Sequence, residues 1–216
     1  MRIDEYLSAI DYPGRIIAVG TGVNGEQVLC YAITGRSRNS RNRVLVLEDG
    51  MLRTKPYDAL LVEDPSLIIY NAMREKDGTV ILTNGDQTDT IYEALSLNEA
   101  LMKRTYEPDE PNFTPRISAV HSPDCYKLSI IRKRGEDAER RVFSYRPENG
   151  SMHIIHTYMG NGKPLPSFEG LPVRLDVPET IEELSEELHR AIKEEYRISQ
   201  YVRYGEKELI VNELGA

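Results

Sequence analysis

Cysteine is scarce in this 216-residue chain, and its scarcity excludes several classes of protein. The two cysteines, Cys30 and Cys125, lie far apart and in no CxxC pair. A disulfide framework or a zinc knuckle is not predicted, because both need several cysteines at characteristic spacings. His153 and His156 are near each other in sequence, but on a predicted strand they point to opposite faces and make a poor metal pair. The sequence therefore predicts no metal site.

Long apolar runs are also absent. The longest, such as residues 59–62, are only a few residues long, whereas a membrane-spanning helix needs about 20. The first eleven residues carry Asp4, Glu5 and Asp11 and lack the apolar stretch that a signal peptide has. We therefore expect a cytoplasmic protein with no membrane partner.

Positive charge is in deficit, with 27 Lys and Arg against 35 Asp and Glu and a net charge of -8. Because nucleic-acid binding needs an excess of cationic side chains, no nucleic-acid partner is predicted. A small phosphorylated ligand needs only a local basic cluster, so the composition allows one. Hydrophobic residues make up 40% of the chain, which is enough for a single domain spanning residues 1–216 with its own core.

The first ninety residues have the pattern of strands and turns. Gly20, Gly22 and Gly25 form a GxGxxG, but a dinucleotide site needs a helix after it, and residues 27–34 have the pattern of a strand. These glycines are assigned to a hairpin instead, with Asn24-Gly25 at the turn. Further strands are predicted at residues 15–20, 44–48, 66–73 and 79–83, with hairpin signals at Asp49-Gly50 and Asp77-Gly78.

Two helices are predicted from capping signals. Ser96 with Glu99, and Thr180 with Glu183, have the spacing of a capping box. After the second box, apolar residues recur at spacings of three and four as far as Tyr196, and the acidic residues on the other face are assigned to solvent. Later strands are predicted at residues 116–120, 126–132, 141–145, 153–158 and 208–211. Together these elements predict an α+β layered domain.

Residues 35–43 are unusually basic for an acidic chain. Four arginines and two serines lie there between two predicted strands. Guanidinium and hydroxyl groups suit phosphates and other oxyanions, which favours an anion site. A solvated basic loop explains the same residues equally well. An RNA-binding patch is disfavoured, because no aromatic residue is interleaved to stack bases.

Three further polar segments are candidates for a binding site. Tyr70-Asn71 ends one predicted strand and residues 84–89 follow the next, where amides and carboxylates can hydrogen-bond a base or a ribose. A polar turn with a helix N-cap is the simpler interpretation of residues 84–89. Residues 106–116 combine three carboxylates, an amide and an arginine in a proline-stiffened loop. An exposed acidic loop explains that segment as well.

Taken in order, these pieces resemble the archaeal-type IMP cyclohydrolases. The resemblance rests on Tyr12-Pro13-Gly14-Arg15, a glycine turn, Gly35-Arg36-Ser37 with Ser40 and Asn42-Arg43, Tyr70-Asn71-Ala72, Asn84-Gly85 with Thr88-Asp89, and Glu107 with residues 112–117. It covers about residues 12–120, and no motif in it is specific alone. Residues 156–171 and the acidic helix lie outside it and are assigned to a bacterial branch.

The resemblance implies a four-layer αββα sandwich similar to that of the N-terminal nucleophile hydrolases, without the nucleophile. Arg2 agrees with this, because it offers no hydroxyl or thiol. The implied reaction closes the ring of 5-formamidoimidazole-4-carboxamide ribotide to give IMP with loss of water, in the last step of purine synthesis. The implied partner is this small purine ribotide, no metal or organic cofactor is required, and a homo-oligomer is expected.

The resemblance also implies roles for individual residues. Tyr70 and Glu107 would transfer protons, and Arg43 would stabilise the developing oxyanion. The candidates for holding the 5′-phosphate are Arg36, Ser37 and Ser40. The other substrate-binding candidates are Asn42, Asn71, Asn84, Asp89, Asn112 and Arg116. The sequence leaves open which arginine binds phosphate and which serves the chemistry.

Two other functions stay open at this point. A non-catalytic purine-nucleotide-binding regulatory protein would keep the same pocket. An amide hydrolase of the same fold would need a nucleophile, for which Cys30 is the candidate. Its position inside an apolar strand favours a buried structural thiol instead.

Overall fold

Two antiparallel β-sheets dominate the computed structural model of the chain, which describes residues 1–62 and 69–215. The predicted α+β class is confirmed. In spatial order, the strands of the six-stranded sheet are β11 (Val173–Asp176), β10 (Ser151–His156), β1 (Arg15–Thr21), β2 (Gln27–Thr34), β12 (Arg197–Tyr204) and β13 (Lys207–Asn212). The strands of the seven-stranded sheet follow chain order: β3 (Arg43–Glu48), β4 (Met51–Pro56), β5 (Asn71–Lys76), β6 (Thr79–Thr83), β7 (Arg116–His121), β8 (Tyr126–Arg134) and β9 (Asp137–Tyr145).

The helices pack on the sheets through separate apolar clusters. In the described residues they are α1 (Ile3–Leu7), α2 (Arg38–Arg41), α3 (Gln87–Glu93), α4 (Leu97–Met102) and α5 (Ile181–Ala191). Ile17 of β1 and Leu128 of β8 belong to one cluster, which draws on both sheets. The preceding residue of β1, Ile16, points to the other face and shares a cluster with Leu184 of α5. Ile91 of α3 belongs to a third cluster with the seven-stranded sheet. None of the helices in these ranges is long and apolar enough to cross a membrane.

The predicted hairpin turns are confirmed, and their backbone shows why those dipeptides occur there. Asp49 and Gly50 have φ of 52° and 72°, and Asp77 and Gly78 have φ of 51° and 70°. Two successive residues at positive φ are the requirement of a tight turn whose twist matches that of the strands it joins. β1 and β2 pair with each other, so the GxGxxG lies in a hairpin as predicted.

The last helix is shorter than its apolar periodicity indicates. Thr180 caps α5 as predicted, since its side chain accepts a hydrogen bond from the backbone N–H of Glu183. The prediction that the helix continues to Tyr196 is wrong, because α5 ends at Ala191 and β12 begins at Arg197. Residues Glu194–Tyr196 instead form a short 3-10 helix that leads into β12, which pairs with both β2 and β13.

The acidic face of α5 is not wholly solvated. Glu187 is buried, and its carboxylate accepts hydrogen bonds of 2.7–3.1 Å from the guanidinium of Arg2. This pair ties the N-terminus to the helix, and it corrects the prediction that the acidic residues only face solvent.

The strand predicted at residues 66–73 is placed differently. β5 begins at Asn71 and pairs antiparallel with β6, so a pair of strands is present as predicted. The predicted start of the strand, residues 66–68, lies outside the described residues.

Candidate active site

A polar cleft of about 270 Å³ opens at one end of the two sheets. At this end β1 begins, β2 ends and β7 begins, and the segments before β1, after β2 and before β7 form much of the walls. The cationic side chains of the cleft are those of Arg15, Arg36 and Arg43. Tyr12 and Tyr158 supply aromatic surface, and the loop before β7 supplies Asp109, Asn112 and Thr114. Three cations against one carboxylate give the cleft a positive charge inside an acidic protein.

Arg43 carries the least satisfied charge of the cleft. Its side chain is 0% exposed, and its Nε donates to the Ser40 carbonyl at 2.9 Å. Its two terminal nitrogens, and Nε of Arg15, have no hydrogen-bond partner among the described residues. Burial lowers the pKa of Arg43 to about 10, and the charge of Arg15 acts in the same direction. A buried guanidinium with free donors is costly unless an anion or oxyanion occupies the cleft.

The basic segment predicted as an anion site forms the rim. Ser37 caps the four-residue helix α2, and its hydroxyl accepts from the N–H of Ser40 at 3.1 Å. The Ser40 hydroxyl in turn donates to the Ser37 carbonyl at 2.9 Å. Arg36 is exposed, lies over the ring of Tyr12 at 5.0 Å, and donates to the Gly162 carbonyl at 3.3 Å. Arg36 therefore links α2 to the opposite wall of the cleft.

Tyr70 lies close to the buried arginines. Its side chain is 6% exposed, and its hydroxyl is 2.7 Å from that of Tyr31. Burial raises the pKa of Tyr31 well above its usual range, so that phenol keeps its proton. Both phenols lie near enough to Arg43 to act on its pKa. The structure thus brings the predicted Tyr70 and Arg43 together.

Glu107 lies in a buried ionic network beside the cleft. Nη1 of Arg116 is 2.9 Å from the Glu107 carboxylate and donates to Asp86 at 2.7 Å and Gln87 at 2.8 Å. Burial raises the pKa of Glu107, although the charges of Arg116 and other arginines act to lower it. At Gly85 a Cβ atom would lie 2.9 Å from both Glu107 and Arg116, so a larger residue there would displace these side chains.

Two of the predicted binding residues are engaged in holding the backbone. The Asn42 side chain donates to the Asp58 carbonyl at 2.7 Å and accepts from the Asp58 N–H at 2.8 Å. The Asn84 side chain donates to the Pro115 carbonyl at 2.9 Å and accepts from the Ile117 N–H at 2.8 Å. These bonds position α2 and β7, the two segments that carry the cleft.

Asn71 and Asp89 lie elsewhere, on the side of the seven-stranded sheet that carries α3. Asn71 donates to Asp89 at 3.0 Å, and Arg74 donates to the same carboxylate at 2.8 Å. Asn112, by contrast, lines the cleft, and its side chain accepts from the Leu165 N–H at 3.1 Å. The cleft walls thus include five of the predicted residues, which are Arg36, Ser37, Ser40, Arg43 and Asn112.

Sequence reasoning missed several residues of the cleft, above all Arg15 and Tyr158. One signal was available at Arg15, a cation that opens an otherwise apolar strand after Gly14. Gly14 has φ of +74°, and a Cβ atom there would lie 2.0 Å from the Thr157 side chain. Only glycine permits this approach, which brings residues 12–15 against residues 157–158. No local pattern identified Tyr158 as a site residue. The strand predicted at residues 153–158 includes it, but β10 ends at His156 and Tyr158 lies in the segment that follows.

Cys30 and a second groove are the other candidate sites in the described residues. Cys30 is 0% exposed, and burial raises its pKa to about 12, so it is not an accessible nucleophile. A wider groove of about 640 Å³ is lined by cations of the β8–β9 hairpin, including Arg132 and Arg141. Arg132 is paired with Glu139 at 2.5 Å, and Arg141 donates to the Gly170 carbonyl at 2.9 Å. These cations are already partnered, unlike Arg43.

Comparison with known proteins relates the chain to one family. A family model described as "IMP cyclohydrolase-like protein" matches residues 12–208. The IMP cyclohydrolase of Methanopyrus kandleri is 30% identical over 155 residues, which cover 68% of this chain and 75% of that protein. The IMP cyclohydrolase of Methanocella arvoryzae is 32% identical over 132 residues, covering 57% of this chain and 64% of that protein. That of Haloquadratum walsbyi is 31% identical over 130 residues, covering 56% and 62%.

Proposed function

The chain belongs to the IMP cyclohydrolase-like family, and from this premise we propose that it is itself an IMP cyclohydrolase. It closes the pyrimidine ring of 5-formamidoimidazole-4-carboxamide ribotide and releases water to give IMP, the last step of purine synthesis. The family match spans every residue of the cleft. The cleft volume is near the lower end of the range for small-molecule pockets, ~300 Å³, which suits a single nucleotide.

The observation that carries this proposal is the buried Arg43 with its two free donor nitrogens. In the reaction, the carboxamide nitrogen attacks the formyl carbon, and negative charge develops on the formyl oxygen. A guanidinium fixed in a water-poor cleft stabilises that charge without having to reorganise. Arg15, whose Nε is also free, adds a second cation at the same place.

The 5′-phosphate is assigned to the rim of the cleft. Arg36 is exposed there, and Ser37 and Ser40 line the same wall. A planar guanidinium can donate two parallel hydrogen bonds to a phosphate. This arrangement leaves the buried arginines for the chemistry and places the charged phosphate where solvent still reaches it.

Tyr70 and Glu107 remain the assignments for proton transfer. The raised pKa of Glu107 favours its acting as an acid, which would protonate the hydroxyl that leaves as water. Tyr70 is close to Arg43, where the oxyanion forms. Asn112 and Arg116 support this region by ordering the loop and the Glu107 carboxylate.

We also propose the four-layer αββα arrangement, in which α1 and α5 cover one sheet and α3 and α4 cover the other. The three apolar clusters support it, since one includes residues of both sheets and the others join each sheet to its helices. We further propose that the protein is cytoplasmic and forms a homo-oligomer. A crystal structure tests the layers, and light scattering coupled to gel filtration tests the oligomer.

The decisive experiment mixes the purified protein with the formylated ribotide and follows IMP by absorbance without added metal or folate. We expect enzyme-dependent IMP formation that is lost in Arg43→Met. Arg38→Met is the matched control, because Arg38 belongs to the same basic segment but is exposed and lies outside the cleft.

The same experiment separates the alternative function. A protein that binds the ribotide tightly but forms no IMP would be a regulatory nucleotide-binding protein. A protein that neither binds nor converts the ribotide would contradict both assignments.

A further inference from the structure

Three polar side chains form a hydrogen-bonded chain along one wall of the cleft. The Tyr158 hydroxyl contacts the Thr114 hydroxyl, and the Thr114 hydroxyl donates to one oxygen of the Asp109 carboxylate. The other oxygen of Asp109 accepts from the backbone N–H of Thr114 at 2.6 Å. All three residues line the cleft. Tyr158 is 2% and Thr114 is 3% exposed, so water has little access to these two side chains, whereas Asp109 is half-buried.

The direction of these hydrogen bonds follows from simple counting. A carboxylate only accepts, so the single proton of the Thr114 hydroxyl is committed to Asp109. The Thr114 oxygen must then accept a hydrogen bond from Tyr158, so the phenol proton is donated to Thr114. The free lone pair of the Tyr158 oxygen is therefore left to accept a proton donor from the cleft.

The surrounding structure holds this chain in place. The Asp109 carbonyl accepts from the N–H groups of Asn112 at 3.0 Å and Phe113 at 3.2 Å, which closes the loop tightly. The Tyr158 carbonyl accepts from Nδ1 of His156 at 2.8 Å. His156 is 0% exposed, and burial lowers its pKa to about 4, so it stays neutral and keeps this geometry. Such fixed partners are what a relay of protons requires.

The cleft thus offers both unpaired donors and an acceptor. Arg15 and Arg43 offer unpaired N–H groups, whereas Tyr158 offers an oxygen lone pair. Ring closure needs both, because the attacking carboxamide loses an N–H proton while the formyl oxygen gains negative charge. Tyr158 alone is a poor base, since burial raises the pKa of its phenol to about 12. A base must therefore lie behind it.

We propose that Tyr158, Thr114 and Asp109 form the relay that removes the carboxamide proton during ring closure. This inference rests on the proposed cyclohydrolase function and adds to it the base that the reaction needs. Tyr158 is the residue that contacts substrate, and Thr114 and Asp109 act through it.

The step balances without any other reactant. The carboxamide N–H proton passes to the Tyr158 oxygen, the Tyr158 proton passes to the Thr114 oxygen, and the Thr114 proton passes to Asp109. At the same time the nitrogen lone pair forms the new C–N bond, and the formyl C=O electron pair moves onto its oxygen. Asp109 ends protonated, and the other two residues end neutral. The oxyanion then takes the Asp109 proton back through the same three groups and becomes the hydroxyl of the carbinolamine. Glu107 protonates that hydroxyl as it leaves as water and regains a proton from the formamido N–H, so both carboxyl groups return to their starting states.

Thr114 gives the sharpest test, because Thr114→Val keeps the shape of the side chain and removes the hydroxyl. We expect kcat to fall by about 10²-fold or more, the usual contribution of general acid–base catalysis, with KM little changed. Thr114→Ser restores the hydroxyl and should recover most of the lost turnover. Thr105→Val, on an exposed threonine outside the cleft, controls for the substitution itself.

Asp109→Asn tests the direction of the chain. Its amide can donate to the Thr114 oxygen, which would turn the Thr114 proton toward Tyr158 and the Tyr158 proton into the cleft. We expect substrate still to bind and kcat to fall as far as in Thr114→Val. In the wild type, the rate in mixtures of H₂O and D₂O should depend on deuterium fraction along a curve, because several protons move in one step.

Each outcome decides the proposal. Loss of kcat in Thr114→Val and Asp109→Asn, with melting temperatures near wild type and rescue by Thr114→Ser, supports the relay. Wild-type turnover that both variants retain would overturn the relay and leave the proposed function intact. A straight-line deuterium dependence would overturn the concerted transfer. Absence of turnover in the wild-type protein would remove the proposed function and the relay with it.

Discussion

The two ends of the space between the sheets are both polar, yet they differ in how their polar groups are paired. At the end opposite the cleft, His121 contacts Gln27 at 3.0 Å and the Gly20 carbonyl at 3.1 Å. Tyr126 and His153 join the two sheets through a contact of 2.7 Å. At the cleft end, Arg43 and Arg15 retain donors without partners among the described residues.

This difference separates structural polarity from functional polarity. Paired polar groups stabilise the contact between the sheets, and burial lowers the pKa of His153 to about 4, so that it is neutral there. Unpaired charged donors weaken the fold and are explained by a ligand. Charge and missing partners together mark the candidate site, whereas burial of polar residues alone does not.

Removing the unpaired charge should have the largest effect. Arg43→Met should lower turnover by about 10²–10³-fold, as loss of an oxyanion donor does. Stability should be unchanged or raised, because an uncompensated buried charge is replaced by an apolar side chain. Steady-state kinetics and urea unfolding measure the two effects. A large loss of stability would show instead that Arg43 is a structural residue, and it would contradict the distinction between the two ends.

The ionic network beside the cleft should give the next largest effect. Glu107→Gln keeps the shape and removes the acid, so kcat should fall by roughly 10²-fold while ribotide binding changes little. Turnover and equilibrium binding are measured on the same preparation. Unchanged turnover would remove Glu107 from the mechanism.

Substitutions at the end opposite the cleft should change stability and not activity. Tyr126→Phe leaves Nδ1 of the half-buried His153 without its partner, which should cost about 1 kcal/mol of unfolding free energy. Turnover at saturating substrate should stay at the wild-type value. Chemical unfolding checks the first expectation, and a fall in kcat comparable to that of Glu107→Gln would contradict the distinction between the ends.

The last effect concerns the pH dependence of stability. Burial lowers the pKa of both His153 and His156 to about 4, below the ~6.5 of an unfolded chain. Between these values the unfolded chain binds more protons than the folded protein. The contribution of the two neutral histidines to stability is therefore fully present above pH ~6.5 and is lost as the pH falls toward 4. Melting temperatures at pH 7 and pH 5 measure this fall. In His153→Gln the new side chain does not titrate, so the melting temperatures at pH 7 and pH 5 should differ less than in the wild type.

Local patterns predicted much of the fold. β2 occupies the predicted residues, the Asp49-Gly50 and Asp77-Gly78 turns adopt positive φ, and Thr180 caps α5. Each depends on side chains and backbone preferences within a few residues. β12 was not predicted, and its position in the middle of the sheet depends on long-range pairing with β2 and β13.

The candidate site was predicted only in part, for the same physical reason. Arg36, Ser37, Ser40 and Arg43 belong to one short basic segment, which composition alone singles out. Tyr158 meets Thr114 across 44 residues of sequence, and no local pattern records that contact.

The sequence by itself determined the α+β class, the hairpins, the capped helices and the basic segment, because these follow from short-range periodicity and charge. Only the tertiary structure decided which polar residues are satisfied, since hydrogen-bond partners are chosen by packing. In the folded protein the Asn42 and Asn84 side chains hydrogen-bond to backbone groups. The two terminal nitrogens of Arg43 in the cleft have no partner among the described residues. The tertiary structure also placed Tyr158, Thr114 and Asp109 in the same cleft as those free donors, because folding brings β1, β7 and β10 to the same end of the sheets.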